Sequence, residues 1–405
     1  MASSGTGMGD YDCLVVGAGI EGCATAYQLA KRKYKTLLLE QFPLPHSRGS
    51  SHGHSRAARY AYHDKIYADM MREAFPMWYH LEQETNTTLY RQTGLLILQE
   101  PSQGSFEARL QTVKDLGLQV TQLNGEDLNK LYSGVQYSND HKVFLEHKAG
   151  VLMANKCLTS LQNRFIHFGG KIHSEEQMRE IIPGNMVRVR TNKGEYRAKS
   201  VILTVGPWAG QVMKPLGLNP PLKTWRMNVC YFKEKQPGTF PEFPIFAELA
   251  CNNRYIIPNH KWPGHLAVVY GLPAHEYPGM YKMGYYTGNE AVPPDERDKF
   301  AQGVQWDIRI MQKYVRDHFP GLEDEPAIIE QCMYTKTPDE HFILDKHPVY
   351  PNIVFGCGFS GHGFKLAPVI GKILCELAMG LPQSYDLQMF SLKRFDKQKR
   401  LPAKL

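Results

Sequence analysis

Three stretches of this chain hold residues whose types and spacing can do chemistry. GAGIEG, from Gly17 through Gly19 to Gly22, is a GxGxxG run. Gly17 permits a tight turn, Gly19 lets a pyrophosphate approach the backbone, and Gly22 lets a helix pack on a strand. A helix opening there presents free N–H groups and partial positive charge to phosphates. Glu40 follows at the distance where a carboxylate can take ribose hydroxyls. The second stretch, residues 41–59, crowds Arg48, Ser50, Ser51, His52, Ser55, Arg56 and Arg59 into an extended loop suited to wrapping an anion. In the third, EQCMYTKTPDEHFILDKHP over residues 330–348, a lone cysteine, Cys332, precedes a polar turn expected over 335–340 and a short strand over 341–344. Cys332 is either a small buried apolar residue, the common fate of free cysteines, or a sulfur with chemistry to do.

Those residues need elements to position them. Residues 12–16 are a short apolar run suited to a buried parallel strand, 22–30 carry helical apolar spacing, and 35–39 form a second apolar strand ending in Glu40. Framed this way, the glycine run predicts a dinucleotide site, with FAD and NAD both open. Residues 196–205 predict a strand running into Gly206-Pro207-Trp208, residues 352–358 another, and residues 366–379 a helix. The nucleotide-binding domain is therefore expected to be discontinuous. The segments between its pieces carry Tyr, Phe, Trp and Pro in strand-like runs, which predict a largely β domain that covers the cofactor.

Composition sets bounds. The chain has 405 residues, 42% hydrophobic and 21% charged, enough for two soluble domains. No apolar run approaches the roughly 18 residues of a membrane span, so no membrane partner is expected. The net charge of +7 is scattered among acidic residues; it predicts no nucleic-acid face but can help attract a small carboxylate. Eight cysteines show neither CxxC nor zinc-finger spacing, and no secretory core opens the chain. We therefore expect no metal, no disulfide framework and a reducing intracellular compartment. The final Ala403-Lys404-Leu405 resembles the Ser-Lys-Leu peroxisomal address, in a basic tail expected to be exposed. It predicts peroxisomal localisation, with an import receptor as partner.

GAGIEG, RGSSHGHSRAAR, CMYTKTPDEHFILDKHP and GFSGHGFKLAPVIGK occur in this order. Together, over about residues 11–390, they resemble the monomeric sarcosine oxidase family. The resemblance implies an α/β fold: a discontinuous Rossmann-like FAD-binding domain of the p-hydroxybenzoate-hydroxylase type, with an antiparallel-sheet substrate domain. The expected limits are 1–90, 146–218 and 322–396 for the FAD-binding domain, 91–145 and 219–321 for the substrate domain, and 397–405 for the targeting tail.

The same resemblance implies FAD attached covalently, through its 8α-methyl carbon, to Cys332, with nearby cations lowering the thiol pKa. It places Gly17, Gly19, Gly22, Glu40 and Ser51 on the cofactor, and His52 and Arg56 facing the flavin. Gly361, His362 and Gly363 would run their backbone past the ring, and the backbone of Met178 would hold adenine. Arg59 and Lys365 would clamp the substrate carboxylate, Tyr270 and Tyr334 would line the pocket, and Lys282 in YKMGYYTG would activate oxygen. One departure stands out: bacterial members carry a histidine where this chain has Tyr286. A phenol titrates near 10 and an imidazole near 6.5, so that histidine's protonation role does not carry over, and substrate preference stays open. The implied activity is oxidation of a secondary amino acid to the imine, with O2 reduced to hydrogen peroxide. Sarcosine, L-pipecolate and L-proline stay unranked as substrates. Two rivals stay open: a flavin dehydrogenase passing electrons to a protein acceptor, and a non-enzymatic flavoprotein assembly factor.

Overall fold

A computed structural model of the chain describes residues 10–101, 105–240, 242–249, 255, 268–287, 293–298 and 305–396. Ala403-Lys404-Leu405 lie outside the described residues. The chain divides into two compact units: unit one is Met1–His52, Cys157–Thr224 and Tyr334–Leu405, and unit two is Gly53–Lys156 and Trp225–Met333.

Unit one is built on the strand Tyr11–Val16. It pairs in parallel with Glu195–Leu203 on one side and Thr36–Leu39 on the other. Lys171–His173 continues the parallel order beyond Thr36–Leu39, and Ile353–Cys357 joins beside the C-terminal half of Glu195–Leu203. Leu14, Val15, Leu37, Leu38, Val201, Ile202, Val354 and Phe355 are fully buried, as strands covered on both faces require. An antiparallel ribbon, Met178–Ile182 with Val187–Thr191, pairs with the N-terminal half of Glu195–Leu203. Ile343–Lys346 runs antiparallel to Ile353–Cys357. The helices Ile20–Lys31 and Ala367–Met379 belong to this unit.

Unit two holds an eight-stranded sheet in the order Leu322–Lys336, Lys223–Glu234, Met280–Tyr285, Val269–Pro273, Ile245–Leu249, Leu95–Gln99, Lys142–Glu146 and Val120–Asn124. Its sense is mixed rather than uniformly antiparallel, because Ile245–Leu249 and Leu95–Gln99 pair in parallel. Phe240, Phe243, Phe246, Tyr281 and Phe319 cluster on the sheet together with Met311, Tyr314 and Val315 of the helix Trp306–His318. A small sheet joins Ser55–Ala58 and Tyr90–Gln92 to Gly150–Met153. That pairing takes residues 53–90, expected with the nucleotide-binding domain, into unit two.

The third chemical stretch is arranged differently from its reading as a turn. Cys332 lies inside the 15-residue strand Leu322–Lys336. The backbone stays paired to the end of that strand, where Thr335 O accepts the Ser360 N–H at 2.9 Å. The turn begins only at Thr337, whose hydroxyl donates to His341 O at 2.8 Å. Arg394 grips the Asp339 carboxylate at 2.7 and 3.0 Å. The next strand therefore starts at Ile343, not at His341.

Candidate active site

In unit one the glycine run forms a phosphate-sized cradle. Gly17 has φ +100°, and a Cβ there would stand 2.6 Å from Thr204 O. A Cβ on Gly22 would collide with the Gly17 carbonyl, so neither position admits a side chain. Gly19 caps the helix, and the Ile20 N–H donates to Ser51 Oγ at 2.9 Å, which brings the donor-rich loop onto the helix N-terminus. Glu40 Oε2 accepts the Ala18 N–H at 2.9 Å and Oε1 accepts the Phe42 N–H at 3.0 Å. Burial pushes this carboxyl up, but the hydrogen bonds from His46, Ala18 and Phe42 outweigh it and hold Glu40 below the ordinary glutamate range. His52 Nδ1 lies 2.7 Å from Gly49 O, and Met178 opens the ribbon strand, half-buried. A backbone stripped of Cβ atoms at a helix N-terminus, with a carboxylate at the end of the second strand, fits a dinucleotide such as FAD.

Unit one also holds the segment around Gly361, which has φ +77°. His362 Nε2 lies 3.1 Å from Glu340 O, and Lys365 Nζ donates to His362 O at 3.4 Å. Gly363 packs tightly: a Cβ there would stand 2.7 Å from Glu21 Oε1. Glu21 is a residue the sequence did not single out, because GxGxxG leaves that position unspecified. Its Oε2 has no hydrogen-bond partner among the described residues. Burial pushes the carboxyl up to about 8, against the pull of Lys365. Lys365 is buried at 7% exposure. Tyr334 is half-buried, two residues past Cys332 on the same strand.

Unit two holds Lys282, Arg56, Arg59, Tyr270 and Cys332. Lys282 pairs with Tyr231 on one flanking strand and with Leu272 on the other, at 5% exposure. Its Nζ lies 3.1 Å from Ser55 Oγ, 3.5 Å from Ser55 O and 3.8 Å from Glu276 Oε1. Burial first, then the charge of Arg56, pushes this lysine down to about 8, while Glu276, Glu330 and Cys332 oppose the shift. Arg56 Nη1 donates to Ser55 O at 2.8 Å. Burial raises the Cys332 thiol; Arg56, Lys282 and Arg297 pull the other way without overcoming it. The expected cations are therefore present, but the expected net lowering is not, because desolvation of the sulfur is the larger effect. The Tyr270 hydroxyl occupies the space over Gly284 that a side chain there would need.

Arg59 lies in a separate part of unit two. Its guanidinium stacks 4.2 Å from the Tyr62 ring centroid and donates to Ala61 O. Arg109 Nη1 donates to the same carbonyl at 3.0 Å. Burial, then the charge of Arg59, pushes Arg109 down to about 9. Glu146 accepts the Tyr60 and Ala61 N–H groups at 2.8 and 2.9 Å. Burial lifts its carboxyl to about 7, so it is an incomplete counter-charge for two guanidiniums. Arg109 and Glu146 had no sequence signal beyond being single charged residues.

A further polar cluster sits in the aromatic core of unit two. Glu100, His141 and Glu248 bring one potential ligand atom each within 4.8 Å of one another. His141 Nε2 is 3.5 Å from Glu248 Oε1, and Glu248 also accepts from the Tyr314 hydroxyl. Burial pulls His141 down, but Glu248 overrides it and the net shift is upward.

The chain matches the family described as FAD dependent oxidoreductase, DAO, over residues 12–377. Peroxisomal sarcosine oxidase of Homo sapiens is 46% identical over 388 residues, covering 95% of this chain and 96% of that protein. The Mus musculus protein of the same name is 47% identical over 390 residues, with the same coverage. Monomeric sarcosine oxidase of Bacillus sp. (strain B-0618) is 32% identical over 389 residues, again covering 95% and 96%. Among solved structures, the open form of NikD, an unusual amino acid oxidase, superposes with a TM-score of 0.80 at 24% identity, covering 95% of this chain and 98% of that one. L-proline dehydrogenase from P. horikoshii gives 0.79 at 19% identity, covering 96% and 98%. At those identities the structural likeness speaks for the fold alone.

Proposed function

The chain belongs to the DAO family of FAD-dependent oxidoreductases and oxidises secondary amino acids with FAD, and we propose that it carries that FAD covalently on Cys332, passes the electrons to O2 and works in the peroxisome. FAD, when bound, supplies the two-electron redox chemistry, and the protein supplies binding, orientation and charge. The Gly17–Gly22 cradle, Ser51 and Glu40 are assigned to the nucleotide, and His52, Arg56, Met178, Gly361, His362 and Gly363 to the remainder of the cofactor.

Arg59 and Lys365 are assigned to the substrate carboxylate, and Tyr270 and Tyr334 to the substrate pocket. Sarcosine and L-pipecolate, with L-proline third, are the substrates to compare. Attachment at Cys332 needs its thiolate, which Arg56, Lys282 and Arg297 stabilise against burial. Lys282 is assigned to oxygen. A buried cation stabilises negative charge as it appears on a small diatomic far better than an exposed one.

The observation that carries the oxidase reading is Lys282, buried beside Arg56 and Cys332 and held close to neutrality. The peroxisomal reading rests on the names of the two animal relatives and on the terminal Ala403-Lys404-Leu405. Anaerobic flavin bleaching by sarcosine, L-pipecolate and L-proline, with glycine and a D-amino acid as controls, tests the substrate class. Admitting oxygen and measuring peroxide against turnover with an artificial acceptor tests the electron acceptor. Bleaching without peroxide would make the protein a dehydrogenase.

A further inference from the structure

Lys282 is the first member of a continuous series of hydrogen-bonding groups that nothing in the assigned chemistry uses. The Ser55 hydroxyl, 3.1 Å from Lys282 Nζ, donates to Glu276 Oε1 at 3.0 Å, which leaves its oxygen lone pairs free to accept from the lysine. The Tyr231 hydroxyl lies 3.1 Å from Glu276 Oε1 and 3.0 Å from Glu330 Oε2. The Tyr277 hydroxyl lies 3.2 Å from Glu330 Oε1. Lys282 and Tyr231 are buried, at 5% and 0% exposure, and the side chain of Glu276 is 7% exposed, whereas Glu330 and Tyr277 reach the surface in part.

A phenol has one proton. Tyr231 can give it to only one carboxylate at a time, so contacts near 3 Å on both sides let its hydroxyl hand a proton to one as it takes one from the other. We propose that Ser55, Glu276, Tyr231, Glu330 and Tyr277 form a proton relay that refills Lys282 from solvent during oxygen reduction. This rests on the oxidase reading above.

The stoichiometry requires such a supply. Converting O2 to hydrogen peroxide consumes two electrons and two protons. Both electrons and one proton come with the reduced cofactor; the second proton has to reach a buried site through the protein. In the relay, an N–H bond of Lys282 breaks as an O–H bond of peroxide forms. The Ser55 hydroxyl proton then passes to Lys282 as Ser55 takes one from Glu276. Glu276 takes that proton from Tyr231 as Tyr231 takes one from Glu330, and Glu330 takes its own from solvent. Burial and the two carboxylates raise the Tyr231 phenol strongly, so it hands protons on without resting as a phenolate. Arg56 and Cys332 also act electrostatically on Lys282, Arg56 lowering and Cys332 raising it.

Two conservative variants test the relay: Tyr231→Phe, which changes no charge, and Glu330→Gln, at a partly exposed site. The first readout needs no turnover. In oxidised holoenzyme labelled with [15N]lysine, held at a pH below 7, the solvent exchange rate of the Lys282 ammonium protons is followed by NMR. We expect both variants to slow it by about 10-fold or more, and to slow flavin reoxidation by oxygen by a comparable factor, with anaerobic reduction by sarcosine little changed. The solvent deuterium effect on reoxidation should also grow. Wild-type exchange and wild-type reoxidation in both variants would overturn the relay. Wild-type protein that makes no peroxide with any of the three substrates would overturn the oxidase reading instead, and the exchange measurement would still decide whether the conduit exists.

Discussion

Lys282 stands directly opposite Tyr231 across the antiparallel pair of Met280–Tyr285 and Lys223–Glu234, its Nζ 5.4 Å from the tyrosine ring centroid. Opposed residues share a face of the sheet, so register alone delivers the ammonium to the tyrosine. A slip of one residue would turn Lys282 to the other face. The placement of Lys282 is therefore a property of strand pairing, and substituting it should leave the rest of the site in place.

Lys282→Met should separate the two half-reactions. Anaerobic reduction by substrate depends on binding and orientation, to which Lys282 is assigned no part. Reoxidation develops negative charge on oxygen, where about 4 kcal/mol of lost stabilisation corresponds to roughly a 1,000-fold rate loss. Stopped-flow traces of each half-reaction measure the split. Wild-type reoxidation in this variant would move the role elsewhere and favour the dehydrogenase.

The pH profile of reoxidation should show the same group. Burial lowers Lys282 to about 8, and the ammonium is its useful form. Reoxidation should hold steady below that value and fall as pH rises through it, approaching about ten-fold per unit. The descent should vanish in Lys282→Met.

Cys332→Ser protein should release its flavin on acid precipitation, while wild-type protein stays yellow. Because burial raises the thiol, attachment of FAD to apoprotein should speed up as pH rises. A wild-type pellet that loses its colour would refute covalent attachment.

If Arg59 holds the substrate carboxylate as proposed, Arg59→Met should remove one charge-assisted contact, a loss of about 1.5–3 kcal/mol or roughly 10- to 150-fold in KM. Steady-state kinetics with sarcosine and L-pipecolate measure it. Unchanged KM and kcat/KM would leave Arg59 with only its structural contacts to Tyr62 and Ala61.

A fluorescently tagged chain lacking Ala403-Lys404-Leu405 should be diffuse in cells where the intact chain is punctate. Punctate signal from both would remove the terminal tripeptide as the address.

How much of this was legible in the sequence depends on the range over which each signal acts. The glycine run and its flanking strands are local: a turn, a helix start and two apolar runs within Tyr11–Leu39 reveal themselves by spacing. The start of the turn after Cys332 was misjudged because Thr335 and Lys336 look like turn residues, whereas Ser360 keeps the Thr335 backbone paired. The cluster of Ser55, Tyr231, Glu276 and Glu330 was invisible, since its members meet only through the three-dimensional course of distant segments, which no single segment encodes. Arg109 reads as an ordinary surface charge on the helix Phe106–Asp115; only tertiary packing brings it, half-buried, under the charge of Arg59. The expectation of a uniformly antiparallel sheet failed at one pairing, where alternation is the same for either sense.

The phosphate turn is braced from far along the chain. Thr204 donates its N–H to Val16 O at 2.9 Å and its hydroxyl lies 3.1 Å from both Val16 O and Gly17 O. Until Thr204 has left the ribosome, the Val16 and Gly17 carbonyls lack this brace, although Leu39, Glu40 and Ser51 already meet the turn. Because the strand Glu195–Leu203 also borders Tyr11–Val16, a nascent chain that has exposed GAGIEG is still without a cradle. Flavin capture is thus a late event in biosynthesis. Chains stalled before Thr204 should emerge colourless, dependent on chaperones and open to proteolysis, however much FAD the cell contains.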